Sequence, residues 1–165
     1  MNKIAEKKYA IEKVLAEEGI SYDSLLKTAL EFYVPHPGIE TEEKAAYYFR
    51  REYDYALSDP NVSLLIYSAV LLEREGKKGN LPDLSKESYE KDMTFIIADE
   101  VLGESLAEYI GGHKGKFEFV RFDKNKPGIL KELGPFIDDI IGGLLGGISA
   151  NMYSRAGFEK EYECK

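Results

Sequence analysis

Apolar positions recur at helical spacing along most of this chain. Ile4, Ile11, Val14 and Leu15 outline a first amphipathic helix that stops near Gly19. Ser21 is placed to cap a second helix, with Leu25, Leu26, Ala29 and Leu30 facing inward. Val34-Pro35-His36-Pro37-Gly38 breaks the pattern, and Thr41 opens a third helix rich in Tyr47, Tyr48, Phe49 and Tyr53. Asp59-Pro60 combines a capping side chain with a proline at the first helical position. Val62, Leu65, Ile66, Ala69, Val70 and Leu72 then form a buried face, and Gly76 is the predicted C-cap.

Lys77 to Leu84 is a polar loop. A long helix is predicted from about Ser85 to Ile110, ending at Gly111-Gly112. Residues 116–122 alternate like a strand, but a lone strand has no partner here, so helix or extended loop is the expected form. Pro127-Gly128 breaks the chain again, and a last helix covers about Pro135 to Ser154. The expected architecture is all-α, a single-domain helical bundle over residues 1–165, with its core at about 3–154 and a frayed tail at 155–165. Gly142, Gly143, Gly146 and Gly147 lie inside the last helix, where each costs about 1 kcal/mol relative to alanine. That cost implies close approach by a neighbouring helix, within the chain or across a homodimer.

Composition narrows the function classes. The chain has 165 residues, 44% apolar and 32% charged, which suits one ordinary globular core. Its formal net charge of −8 argues against nucleic-acid binding or nonspecific attachment to anionic membranes. The single cysteine, Cys164, leaves no disulfide framework and no cysteine zinc site within one chain. The charged start, Met1 to Lys8, does not read as a signal peptide, and the apolar run Ile137 to Ile148 is too short to insert stably in a membrane. A cytoplasmic protein is expected.

The chemistry sits in two acidic doublets. Asp99-Glu100 lies inside Ile-Ile-Ala-Asp-Glu-Val-Leu-Gly, and Asp138-Asp139 inside Pro-Phe-Ile-Asp-Asp-Ile-Ile-Gly-Gly. Carboxylates in apolar surroundings are costly unless paired or bound to a cation. Asp92 falls seven residues before Asp99, so on one continuous helix the two share a face. Asp138 and Asp139 stand near a helix N-terminus, whose dipole favours anions. Between the doublets lie Arg121, Asp123, Lys124 and Lys126, a mixture suited to phosphate. Oxygen ligands without Cys or His suit a hard cation, Mg²⁺ or Mn²⁺. Solvated acidic faces and helix caps would account for the same residues, and both readings stay open on composition. His36 and His113 are expected to be exposed, and the tyrosines to pack in the core and at its rim.

In order, Asp92…Asp99-Glu100-x-x-Gly103, Arg121-Phe122-Asp123-x-x-Lys126-Pro127 and Asp138-Asp139-x-x-Gly142 resemble the phosphatidylglycerophosphatase A family. Met93 stands where the membrane enzymes have proline, and their hydrophobic spans are absent. The chain is therefore most similar to the family's soluble branch, the archaeal α-ribazole-5′-phosphate phosphatases (CobZ-type) of cobalamin biosynthesis. Short soluble bacterial relatives are also similar around Lys126 to Lys131. The resemblance implies a Mg²⁺-dependent phosphatase acting on a small phosphomonoester. It implies metal ligands at Asp92, Asp99, Glu100, Asp123, Asp138 and Asp139, and catalytic roles for Asp99, Glu100, Asp139, Arg121 and Lys126. The family's activity on another substrate, and a noncatalytic cation-binding helical module, are the alternatives. A lipid phosphatase would require an exposed apolar or basic face.

Overall fold

The computed structural model describes residues 9–163; Ile4 and Cys164 lie outside them. The described residues form seven α-helices and one short 3-10 helix, with no strand beyond an isolated bridge between His36 and Ile39. The helices are α1 (Ala10–Glu17), α2 (Tyr22–Leu30), α3 (Glu42–Leu57), α4 (Pro60–Lys78), α5 (Lys86–Glu90), α6 (Ala98–Asn125) and α7 (Pro135–Glu163), with the 3-10 turn at Gly128–Glu132. The all-α single-domain expectation holds, and no single described helix is long and apolar enough to cross a membrane.

The predicted starts are those where a side chain satisfies a free amide. Ser21 accepts from Ser24 N–H at 3.1 Å, Thr41 from Lys44 N–H at 3.3 Å, and Asp59 from Asn61 N–H at 2.8 Å. The stops were harder to read. α4 runs through Gly76 and ends at Gly79, whose φ of 77° is left-handed. Gly76 serves packing instead: a Cβ there would lie 2.6 Å from the Tyr89 ring.

The predicted helix from Ser85 to Ile110 is divided. α5 closes after one turn, with Asp92 N–H bonded to the Tyr89 carbonyl at 3.1 Å and Met93 N–H to the Ser88 carbonyl at 3.3 Å. This is the bond pattern of a Schellman stop with Asp92, at φ 46°, in the left-handed position. Aspartate is one of the few non-glycine residues that occupy this position. Asp92 therefore ends a helix and does not share a helical face with Asp99.

α6 reverses direction at Gly112, whose φ of 62° and ψ of −152° are reachable only by glycine. Lys116 Nζ consequently reaches Glu104 Oε1 at 2.8 Å, although twelve residues along a straight helix would separate them by about 18 Å. The ambiguous segment 116–122 is the second helical arm of this hairpin.

α7 lies along both arms. Its apolar side, Ile137, Ile140, Ile141, Leu144, Leu145 and Ile148, is no more than 2% exposed. Its glycine side meets α6 backbone to backbone within the chain. A Cβ on Gly143 would sit 2.2 Å from the Gly103 carbonyl oxygen, and one on Gly146 would sit 2.6 Å from the Phe119 amide nitrogen.

The tail expected to fray continues the helix to Glu163. Arg155 pairs with the buried Glu52 at 2.8 Å, Arg51 grips Glu159 at 2.6 Å, and Ala156 is fully buried. These anchors come from α3, more than a hundred residues away, and have no local signature.

The packing predicts opposite outcomes for adjacent glycines. Gly143→Ala should cost on the order of 2 kcal/mol, because overpacking against backbone outweighs the helix-propensity gain of about 1 kcal/mol. Gly142→Ala, whose Cβ would make ordinary contacts with the Phe119 ring at 3.5 Å and Phe122 Cβ at 4.0 Å, should be neutral or slightly stabilising. Urea midpoints of the two variants would separate these cases, and equal values would refute the packing account.

Candidate metal centre

Three chain segments deliver carboxylates to one place. Asp99 and Glu100 stand in the first turn of α6, and Asp138 and Asp139 in the first turns of α7. The hairpin register puts Gly115 beneath Ala107 and Phe119 beside Gly103, and the second arm brings Asp123 to Asp139. A Cβ on Gly103 would lie 2.4 Å from the Asp139 carbonyl oxygen, so α6 and α7 touch where the doublets meet.

One carboxylate oxygen from each of Asp99, Glu100 and Asp139 lies within 4.8 Å of the others. Asp99, Asp139 and Asp138 are only 2%, 4% and 8% exposed, whereas Glu100 opens to solvent. Lys126, held at the end of α6 by a left-handed φ of 42°, donates to Asp138 Oδ2 and stands 3.9 Å from Asp123 Oδ1. Asp99 Oδ1 and Asp138 Oδ1 are buried without a hydrogen-bond partner among the described residues. Unpaired buried acceptors are rare, and each requires an account.

The electrostatics are those of an excess of negative charge. Burial raises the pKa of Asp99, and its hydrogen bond with Glu100 raises it further. Burial also raises Asp139, reinforced by Asp138, Asp123 and Asp99. Asp138 is raised by burial too, although Lys126 pulls it back. Burial alone would lower Lys126, but the bond to Asp138 and the charges of Asp138, Asp139 and Asp123 together outweigh it, and the ammonium is held.

Of the predicted ligands, the fold brings together Asp99, Glu100, Asp123, Asp138 and Asp139, with Lys126 beside them. Asp92 is exposed in the turn after α5 and stays outside. Arg121 also faces elsewhere, because two residues along a helix is about 200° of rotation from Asp123. Its guanidinium is bound by both Glu118 oxygens at 3.0 and 2.8 Å, donates to the Phe32 carbonyl at 3.4 Å and lies over the Phe32 ring. His113 is exposed near Glu108, and His36 packs against the Tyr153 ring, so neither joins the cluster. No motif marks Glu73, which is fully buried beneath the start of α7. Its signal is a carboxylate within the buried stripe Ile66, Ala69, Val70, Glu73 and Gly76 of α4.

The donor set fits a hard divalent cation. All candidate ligands are oxygens, two acceptors lack partners, and a cation would relieve the mutual repulsion.

No family model matches the chain. It is 42% identical over 101 residues to the uncharacterized protein MJ1330 of Methanocaldococcus jannaschii, a match spanning 59% of this chain and 76% of that protein. The chain belongs to the same family as MJ1330. Solved structures share its fold. A protein of unknown function from Bacillus stearothermophilus superimposes with TM-score 0.73 at 22% identity, over 88% of this chain and 96% of its own. The low temperature requirement C protein from Listeria monocytogenes gives 0.70 at 25% identity, over 95% and 99%. Protein ypjQ from Bacillus subtilis gives 0.71 at 17% identity, over 94% of each chain.

The raised carboxylates set a pH signature. In the metal-free protein the native state holds more protons than the unfolded chain, so stability falls as pH rises above the unfolded aspartate value of about 4. Carboxylates held low by surface partners, such as Glu40 and Glu159, act below that window. Melting temperatures in EDTA should therefore decline from pH 5 to pH 8, and Asp139→Asn should flatten the decline. An unchanged slope in that variant would contradict the assigned electrostatics.

Proposed function

We propose that this protein is a Mg²⁺-dependent phosphomonoester hydrolase of the phosphatidylglycerophosphatase A-like type, acting on a small soluble substrate such as α-ribazole-5′-phosphate. The observation that carries the reading is the pair of unpartnered buried oxygens, Asp99 Oδ1 and Asp138 Oδ1, beside the three-carboxylate arrangement of Asp99, Glu100 and Asp139. Its support in the sequence is the ordered set of motifs around Asp99-Glu100, Asp123-x-x-Lys126 and Asp138-Asp139.

Asp99, Glu100 and Asp139 would hold the cation, with Asp123 and Asp138 beside Asp139. When bound, Mg²⁺ or Mn²⁺ neutralises the carboxylates, polarises a phosphoryl oxygen and lowers the pKa of a bound water. The chain's own groups divide the remaining work. Glu100, the solvent-facing carboxylate, is placed to accept a proton at the mouth of the site. Lys126 orients Asp138 and would supply one positive charge to a phosphoryl group at the site. Asp99 and Asp139, buried in the first turns of α6 and α7, are held in place by the surrounding packing. Arg121, paired with Glu118, is left out of this scheme.

A second reading is the same chemistry on an amphiphilic phosphate. The segment leading into Asp99 exposes Met93, Phe95 and Ile97, and Val101 follows Glu100 with 52% exposure. This is the exposed apolar face that a lipid substrate would require.

Hydrolysis of α-ribazole-5′-phosphate, phosphatidylglycerophosphate and common nucleotides in parallel, with Mg²⁺ and with EDTA, tests both readings. Activity on a soluble ester that disappears on chelation is expected. Asp99→Asn and Asp139→Asn should each lose at least about 100-fold with the fold intact. Turnover that survives complete chelation would overturn the metal-dependent reading.

A further inference from the structure

Glu73 lies on α4, far in sequence from every carboxylate of the metal centre, and is fully buried. Its Oε2 accepts from the amides of Phe136 at 2.9 Å and Ile137 at 3.2 Å, and its Oε1 accepts from the Tyr89 hydroxyl. The first helical bond of α7 runs from Asp138 N–H to the Gly134 carbonyl at 2.8 Å, and Pro135 has no N–H. Phe136 and Ile137 therefore carry free amides at the start of this helix, and Glu73 satisfies both.

The neighbours are shaped around this carboxylate. A Cβ on Gly134 would stand 1.8 Å from Glu73 Oε1, and one on Gly76 would strike the Tyr89 ring. Tyr89 also stacks on Phe136, with ring centroids 6.5 Å apart and planes 11° from parallel. Burial, then its bond to Glu73, raises the Tyr89 pKa, so the hydroxyl remains a donor across the working pH range. One side chain from α4 and one from α5 thus clamp the first turn of α7. Asp138 and Asp139 follow directly after the two clamped amides.

We propose that Glu73 is a positioning residue for the metal centre: with Tyr89 it anchors the first turn of α7 and so sets where Asp138 and Asp139 present their carboxylates. The inference rests on the metal-site reading above, and it adds a residue outside the motifs that suggested that reading. Glu73 touches neither substrate nor cation in this scheme. It acts through the backbone of Phe136 and Ile137.

Two readouts test it in Glu73→Gln and in Tyr89→Phe, which keeps the ring and removes one donor. Glu52→Gln serves as the control, because it weakens another buried carboxylate, paired with Arg155 at the far part of α7. In the metal-free protein, amide exchange at Phe136 and Ile137 should quicken roughly tenfold in Glu73→Gln as a charged acceptor becomes neutral. Mn²⁺ affinity, read by water-proton relaxation, should fall about 10- to 100-fold in Glu73→Gln and by a smaller factor in Tyr89→Phe. It should stay within about twofold in Glu52→Gln, even where the melting temperature drops comparably. Unchanged exchange in both site variants overturns the anchoring. A Mn²⁺ loss in Glu73→Gln no larger than in Glu52→Gln overturns the positioning role. If the wild-type protein takes up no Mn²⁺ while exchange responds, the metal reading fails and the anchoring of the two aspartates stands.

Discussion

The contact between α6 and α7 is the constraint on which the rest of the structure depends. Side chains are absent at Gly103, Gly143 and Gly146, so the two helices meet through their backbones. Glycine inside a helix costs roughly 1 kcal/mol, and here that cost is offset by dense packing along the length of α7. The opposite side of α7 carries Ile140, Ile141, Leu144, Leu145 and Ile148 into the remaining core. One helix is therefore buried on every side in its middle part, by two different kinds of contact. The hairpin turn at Gly112 makes this possible, because it supplies two arms for α7 to lie against.

The same closeness creates the electrostatic problem at the end of the contact. Where the helices begin, backbone packing carries Asp99, Asp138 and Asp139 into a low-dielectric space. A single lysine, Lys126, answers them directly, and two acceptor oxygens keep no partner among the described residues. A fold assembled for stability alone would not gather these groups, since unpaired buried carboxylates oppose folding. The packing and the acidic cluster are thus one arrangement, in which the tight glycine contact holds costly groups at short range. The solved structures that share this architecture show that the helical scaffold persists at low sequence identity.

Legibility in the sequence followed the range of the interaction. Ser21, Thr41 and Asp59 were readable as helix starts because a cap acts within three residues. Gly112 was readable as a break, although its role as a hairpin turn was not. Asp92 misled, because a left-handed aspartate stop resembles a continuing helix when only polarity and spacing are considered. Arg121 misled for a related reason: motif proximity to Asp123 says nothing of the 200° between their side chains. The end of α7 was underestimated because its anchors, Glu52 and Arg51, belong to a distant helix. Glu73 was legible only as a carboxylate in the buried stripe of α4; its role was not, because its partners include backbone amides, which no residue type announces.

By itself, the sequence determined the helical class, most helix starts, the soft positions where the chain turns and the two acidic doublets in apolar surroundings. Each of these follows from local preference: the 3.6-residue period, caps, glycine and proline, and the cost of burying charge. Only the tertiary structure decided which carboxylates meet. It folded Asp123 back against Asp139, removed Asp92 and Arg121 from the cluster and placed Glu73 beneath the first turn of α7. The physical reason is that a side chain's direction and its distant partners depend on how helices cross and reverse. Neither is encoded by any short window of residues.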